Sequence, residues 1–298
     1  MRWPDSGEPM SRFVCAVDVG TRSARAALFD SDGRMLPRKA EPFTLHSTAT
    51  DRGEYRSADI WSAVCRVVKR ARLAAGAGPD DVAGLAFDAT CSLVLTGADG
   101  GSLALGPDGQ DTLAWFDRRA EAAAMRATKA GGAVVERLAG AMSPEMQVPR
   151  LMWLREVRPD LWTRLGGAFD LTDWLTSKAV GSRVHAHACL ATKWPYQAEN
   201  GGWQRSFLDR VGLSDLPDRL ALPQEGVPVG RPVGFLTAPA AEAMGLSETV
   251  RVGAGLVDGY AGALAGRAIA ARHGVKVSAS LILGTTASVI AISKSEIH

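Results

Sequence analysis

Apolar positions open the chain in two short runs, Phe13 to Val17 and Ala26 to Phe29, with Asp18, Gly20 and Thr21 between them. The turn Asp30-Ser31-Asp32-Gly33 follows. Two such runs around a Gly-Thr turn predict a β-hairpin. Leu281 to Ser293 repeats the pattern, with Gly284-Thr285-Thr286 between its apolar runs. Between the hairpins, helical periodicity covers 57 to 75, with Ile60, Val64, Val67 and Val68 on one face and Ser57 placed as its cap. Val82 to Phe87 reads as a buried strand ending in Asp88-Ala89-Thr90, and Ser92 to Thr96 returns beside it. Leu113 to Phe116 is a short apolar run before Asp117-Arg118-Arg119 and an Ala- and Glu-rich helix over 120–130. Helices follow over 150–157, from Pro159, over 170–179 closed by Gly181, and over 203–211. His185 and His187, two residues apart, fall on one side of an extended strand. A short strand near 250 runs into Gly253-Ala254-Gly255, then Asp258-Gly259 and a last helix. The order hairpin, helix, strand, strand fits a mixed sheet with helices on its faces.

Candidate chemistry gathers where these runs end. Gly20 permits a tight turn and close approach of a ligand. Thr21 and Arg22 offer hydroxyl, guanidinium and amide donors, so the turn can hold an anion. Asp18, at the end of the first run, suits a hydrated Mg²⁺. Gly255, Gly259, Gly262 and Gly266 share one helical face. Each interior glycine costs about 1 kcal/mol against alanine, so the face needs a reason: close packing against a sheet, or a phosphate approaching the helix start. Asp258 stands at that start, as a plain N-cap or as a catalytic carboxylate. Lys193 lies among apolar neighbours, either snorkelling to solvent or reaching a polar group in a cleft.

Composition narrows the choices. The chain has 298 residues, 46% of them hydrophobic, with a formal net charge of +2. Its basic residues are scattered, which argues against a nucleic-acid footprint. Four well-separated cysteines without a C-x-x-C pair indicate neither zinc nor a disulfide framework, as expected of reduced thiols in a cytoplasmic protein. No apolar run is long enough for a membrane span, and residues 1–12 read as a loose leader rather than a signal peptide.

Two similar hairpins about a domain's length apart suggest a duplicated α/β fold gripping a polyphosphate from both sides, as in the actin-like ATPase (ribonuclease H-like) superfamily. The motifs AVDVGTRSARAALFD at 16–30, FDATCSLV at 87–94, AWFDRRA at 114–120, SPEMQVPRLMWL at 143–154, ATKW at 191–194, GAGLVDGYAGALAG at 253–266 and ILGTTA at 282–287 carry a closer likeness. Together they resemble the FGGY family of carbohydrate kinases, most of all its ribulokinase-like branch that phosphorylates keto sugars of five carbons.

The resemblance implies ATP and Mg²⁺ as cofactors and a small sugar as partner. Asp18, Gly20, Thr21 and Arg22 would form the first phosphate loop, with Asp18 near the metal. Ala89, Asp117 and Lys193 would contact the sugar, and Asp258 would be both a sugar contact and the general base. Gly284, Thr285 and Thr286 would hold phosphate from the other side. Arg118 departs from the family pattern, which usually has a single arginine there. Residues 13–267 would be the sugar-binding domain, and 268–298 only the beginning of the second, which implies a truncated chain with weak activity of its own and an exposed face favouring a homodimer. A non-catalytic sugar-binding remnant and an actin- or chaperone-like ATPase are the alternatives. The second of these has no use for a polar sugar cleft.

Overall fold

The computed structural model describes residues 12–275, 278–283 and 287–293. Its centre is a seven-stranded mixed sheet. The opening hairpin forms as Phe13–Val19 paired antiparallel with Ser23–Asp30, and Gly33 closes the following turn at a φ of 79°, where a side chain would be strained. Lys39–Pro42 extends the hairpin on one side. On the other, Val82–Ala89 lies parallel to Phe13–Val19, and Arg251–Gly253 and Leu256–Val257 lie parallel to Val82–Ala89 in turn. Pro232–Phe235 forms the far edge.

Alternation along the strands sorts the two faces of this sheet. Cys15, Val17 and Val19 are buried, as are Leu85 and Phe87 across from them. They pack on helix Ser57–Ala74, through Ile60, Val64, Val67 and Val68, and on helices Leu171–Val180 and Ala238–Met244. Asp18 and Asp88 point to the opposite, partly open face, because their neighbours along each strand face the core. A second buried cluster sits under a five-stranded sheet that includes Arg52–Tyr55, Thr112–Leu113, Leu93–Gly97 and Leu165–Asp170. Among the described residues, no helix is long and apolar enough to cross a membrane.

Several local expectations are corrected. Ser57 does not cap its helix; it is the first helical residue, and its amide and hydroxyl both donate to the buried carboxylate of Asp111, at 2.8 and 2.6 Å. A carboxylate from a distant loop thus does the work assigned to the serine. His185 and His187 do not share a strand. His187 begins helix His187–Lys193, while His185 stacks on Phe169 and faces Asp173. The Leu113–Phe116 run is strand only at Thr112–Leu113, after which the chain turns toward Asp117.

The glycine face of helix Asp258–Arg272 finds its reason in packing. The hairpin formed by Ser278–Leu283 and Ala287–Ile292 lies against it. A Cβ at Gly262 would fall 2.7 Å from Ile282, and one at Gly266 would fall 2.3 Å from the Ser280 hydroxyl. Gly255 lies before the helix and not on the face expected for it, and it is equally tight, with Thr172 at 2.3 Å and the Phe87 carbonyl at 2.5 Å from the added carbon. Gly20 differs: the nearest atom to a Cβ there is the Arg25 guanidinium at an ordinary 3.6 Å. Gly255→Ala should therefore destabilise the fold by about 1–3 kcal/mol, and Gly20→Ala by less than about 1 kcal/mol. Urea unfolding followed by circular dichroism measures both, and equal losses would contradict this packing.

Candidate active site

Parallel register brings the first carboxylates together. Asp18 stands opposite Asp88 in the pairing of their strands, and Leu256 stands on the other side of Asp88. The next strand residue, Val257, pairs with Ala89, so Asp258 emerges just past the end of the sheet as the first residue of its helix. Three carboxylates from three distant stretches thus converge at one end of the central sheet. Ala89 itself is fully buried beneath them, and Lys193, the last residue of helix His187–Lys193, is near enough for its charge to act on Asp258.

The electrostatics follow from this crowding. Burial pushes the Asp88 carboxyl up to about 8, and the negative charges of Asp18 and Asp258 and a hydrogen bond with Asp18 add to it, while Arg25 opposes. Asp258 is also raised, first by burial and then by the charge of Asp18, with the Gly259 amide and the Lys193 ammonium working against the rise. That amide donates to the Asp258 carboxylate at 2.7 Å. Arg25 forms a half-exposed ion pair with Asp18 at 2.8 Å.

The turn after Asp18 is fixed by its own backbone and by the opposite wall. The Gly20 amide donates to the Ser23 carbonyl at 3.1 Å. The indole of Trp115 donates to the Thr21 hydroxyl at 3.1 Å, and the Tyr55 hydroxyl donates to the Thr21 carbonyl at 2.9 Å. Arg22 is exposed beside the turn. The second turn, Gly284, Thr285 and Thr286, lies outside the described residues.

Asp117 is placed differently from the expectation that it touches the sugar. Its carboxylate is 1% exposed and faces inward, accepting from Arg119 at 2.8 Å through each oxygen and from the Gly53 amide at 2.9 Å. Arg119 also pairs with Glu54 at 2.7 Å and lies 5.1 Å from the Trp153 ring centroid. A carboxylate so enclosed holds its own loop; it does not reach a solute. Arg118 pairs with Glu121 on the surface.

Two residues that no local sequence pattern singles out, Asp88 and Trp115, stand at this site. Asp88 looked like the polar end of a strand; the available signal was a carboxylate closing an apolar run, as Asp18 does. Trp115 was visible only as part of a motif, because its contact with Thr21 joins residues 94 apart in sequence. For a hard divalent cation such as Mg²⁺, the oxygen donors of Asp18 and Asp88 are chemically suitable. A separate buried group, Asp170, Asp173 and Cys189, also has metal-type side chains close together, but Gln147 and Trp194 donate to the Asp170 oxygens and Ala186 to Asp173.

Comparisons with known proteins bear on the family and the fold. A family model described as the FGGY family of carbohydrate kinases, N-terminal domain, matches residues 13–265. An FGGY carbohydrate kinase domain-containing protein of Danio rerio is 37% identical over 304 aligned residues, covering 95% of this chain and 54% of that protein. A D-ribulokinase of Saccharomyces cerevisiae is 32% identical, covering 86% of this chain and 38% of its own length. The chain thus spans about half the length of such relatives or less. A ligand-bound xylulose kinase from Lactobacillus acidophilus superposes with a TM-score of 0.72 at 16% identity, over 86% of this chain and 50% of that one, which is a likeness of fold.

The crowding at Asp88 has a consequence for stability. Its folded pKa lies above the ordinary carboxylate value, so between about pH 4 and about 8 the folded protein keeps a proton that the unfolded chain has released. This contribution is complete below the unfolded value and is lost as pH rises through the folded one. Asp88→Asn should flatten the fall in melting temperature between pH 5 and pH 8, measured without divalent cations. An unchanged slope would show that Asp88 ionises normally.

Proposed function

The chain belongs to the FGGY family of carbohydrate kinases, and on that footing we propose that it forms the sugar-binding side of an ATP-dependent kinase for a ketopentose resembling D-ribulose. The observation that carries this reading is the convergence of Asp258, Asp18 and the Gly20-Thr21 turn at one end of the sheet. The S. cerevisiae relative is named a D-ribulokinase, which favours a ketose with five carbons.

Asp258 acts as general base. It takes the proton of a sugar hydroxyl as that oxygen forms its bond to the γ-phosphorus of ATP and the bond from phosphorus to the ADP oxygen breaks. Its raised pKa brings it closer to the range in which a base works well near neutral pH, with the Gly259 amide and then Lys193 opposing the rise. Lys193 also donates to sugar oxygens; Ala89, expected to touch the sugar, is fully buried on the core side of its strand and does not meet it. Gly20 and Thr21 receive the phosphate, with Arg22 beside them. Packing within the protein does not demand glycine at 20, so close approach of a ligand is the better explanation for it.

Asp18 and Asp88 would hold Mg²⁺, which when bound neutralises charge on the transferring phosphate. Gly284, Thr285 and Thr286 would meet the same phosphates from the other side. On this reading residues 13–267 are the sugar-binding domain and 268–298 open the ATP-side domain, the division falling within helix Asp258–Arg272.

A ketose panel with ATP and Mg²⁺, read by release of ADP, tests the proposal. In a protein that carries the whole ATP-side domain, D-ribulose or a close ketopentose should be phosphorylated. Asp258→Asn should lower turnover by about 10²–10⁴-fold, the usual worth of a positioned base, while ketose binding measured by calorimetry stays within a few-fold of the parent. Equal turnover in the two proteins would remove Asp258 from the mechanism. Ketose binding with no turnover in the parent would favour a sugar-binding role without catalysis.

A further inference from the structure

A chain of buried polar groups runs behind Lys193. The next residue, Trp194, is 3% exposed, and its indole donates to an Asp170 oxygen at 2.7 Å. The other Asp170 oxygen accepts from the Gln147 amide, also at 2.7 Å. Gln147 turns its carbonyl to the Arg150 guanidinium at 3.5 Å. Arg150 in turn donates to the carbonyls of Ala114 and Trp115 at 2.6 and 2.9 Å. Asp170, Gln147 and Arg150 are each no more than 1% exposed. The far end of this chain is therefore the loop whose Trp115 indole holds Thr21.

The donors and acceptors fix the direction of every link. An indole N–H and a guanidinium only donate, and an ionised carboxylate only accepts. The Gln147 amide must then give its NH₂ to Asp170 and its oxygen to Arg150, and it has no second orientation that satisfies both. Such a chain holds a single geometry, and a broken link leaves a buried group unpaired. A hydrophobic core needs nothing of the kind here: Leu151, Leu154 and Leu190 already fill the surrounding cluster.

We infer that Asp170 is a positioning residue for the sugar site: seated on Gln147 and Arg150, it grips Trp194 and thereby aims Lys193 into the crevice at a set distance from the Thr21 turn. The inference rests on the reading of Lys193 as a sugar contact, and adds the residue through which that contact is controlled. Neutral asparagine at 170 would present an NH₂ to one of two donors. If it faces Gln147, that amide must flip and set its own NH₂ against Arg150, so the fault travels along the chain.

The test is a double-mutant cycle on D-ribulose affinity, measured by calorimetry on the full chain with Asp170→Asn, Lys193→Ala and the pair. Each single variant should weaken binding about 10-fold, the worth of one buried hydrogen bond to a charged group. The pair should be little weaker than either one, because Asp170 acts only through Lys193. Independent losses, multiplying to about 100-fold, would overturn the inference while leaving Lys193 as a sugar contact. A Lys193→Ala protein with unchanged affinity would overturn the reading of Lys193 and the inference together. Should Asp170→Asn fail to fold, Gln147→Met, which keeps the volume and removes both amide links, enters the same cycle with the same expected outcome.

Discussion

Negative charge held at the end of a sheet is the constraint on which this structure turns. Asp18, Asp88 and Asp258 come from three separate strand ends, and the parallel register leaves them no room to spread apart. Arg25 and Lys193 are the cations that bear on them. Left alone, such a group takes up protons or cations to lower its repulsion, and the raised Asp88 and Asp258 carboxyls express that pressure. An arrangement of this kind weakens a fold. In the proposed function a cation and a phosphate complete it.

The rest of the molecule works to hold that strained end in place. One face of the sheet is sealed by Val17, Val19, Leu85 and Phe87 against three helices, which fixes the strands and with them the carboxylates on the opposite face. Gly255 lets the segment before Asp258 press against the Phe87 carbonyl and Thr172, a closeness that any side chain would prevent. Thr172 also donates to the Leu256 carbonyl at 3.1 Å, tying helix Leu171–Val180 to the residues just before Asp258. The buried Asp117–Arg119–Glu54 group stiffens the opposite wall.

Much of this was legible in the sequence, for reasons that differ by element. The opening hairpin is a local structure with local signals, and it forms as its apolar runs indicate. Helix Ser57–Ala74 follows from its periodicity, although its cap comes from Asp111, 54 residues away, which no local pattern reveals. The glycine face at 259, 262 and 266 allowed either close packing or a phosphate, and the hairpin lies against Gly262 and Gly266. What stayed hidden depends on register and on distant pairing. Asp88 gains its meaning only when parallel pairing sets it against Asp18, and Asp117 loses the sugar contact expected of it only when Arg119 and Gly53 are seen to enclose it. His185 was misread for the same reason: its place is set by Phe169 and Asp173, not by its neighbour two residues on.

Asp258 and the Gly20-Thr21 turn stand at one end of the sheet, and the proposed ketose lies between them. A crystal structure with D-ribulose bound tests it directly. One sugar hydroxyl should lie within about 2.6–3.2 Å of the Asp258 carboxylate, on the side of the sugar toward Gly20 and Thr21, with Lys193 donating to another oxygen of the same molecule. A ketose seated elsewhere, or one whose hydroxyls all turn away from Asp258, would contradict it.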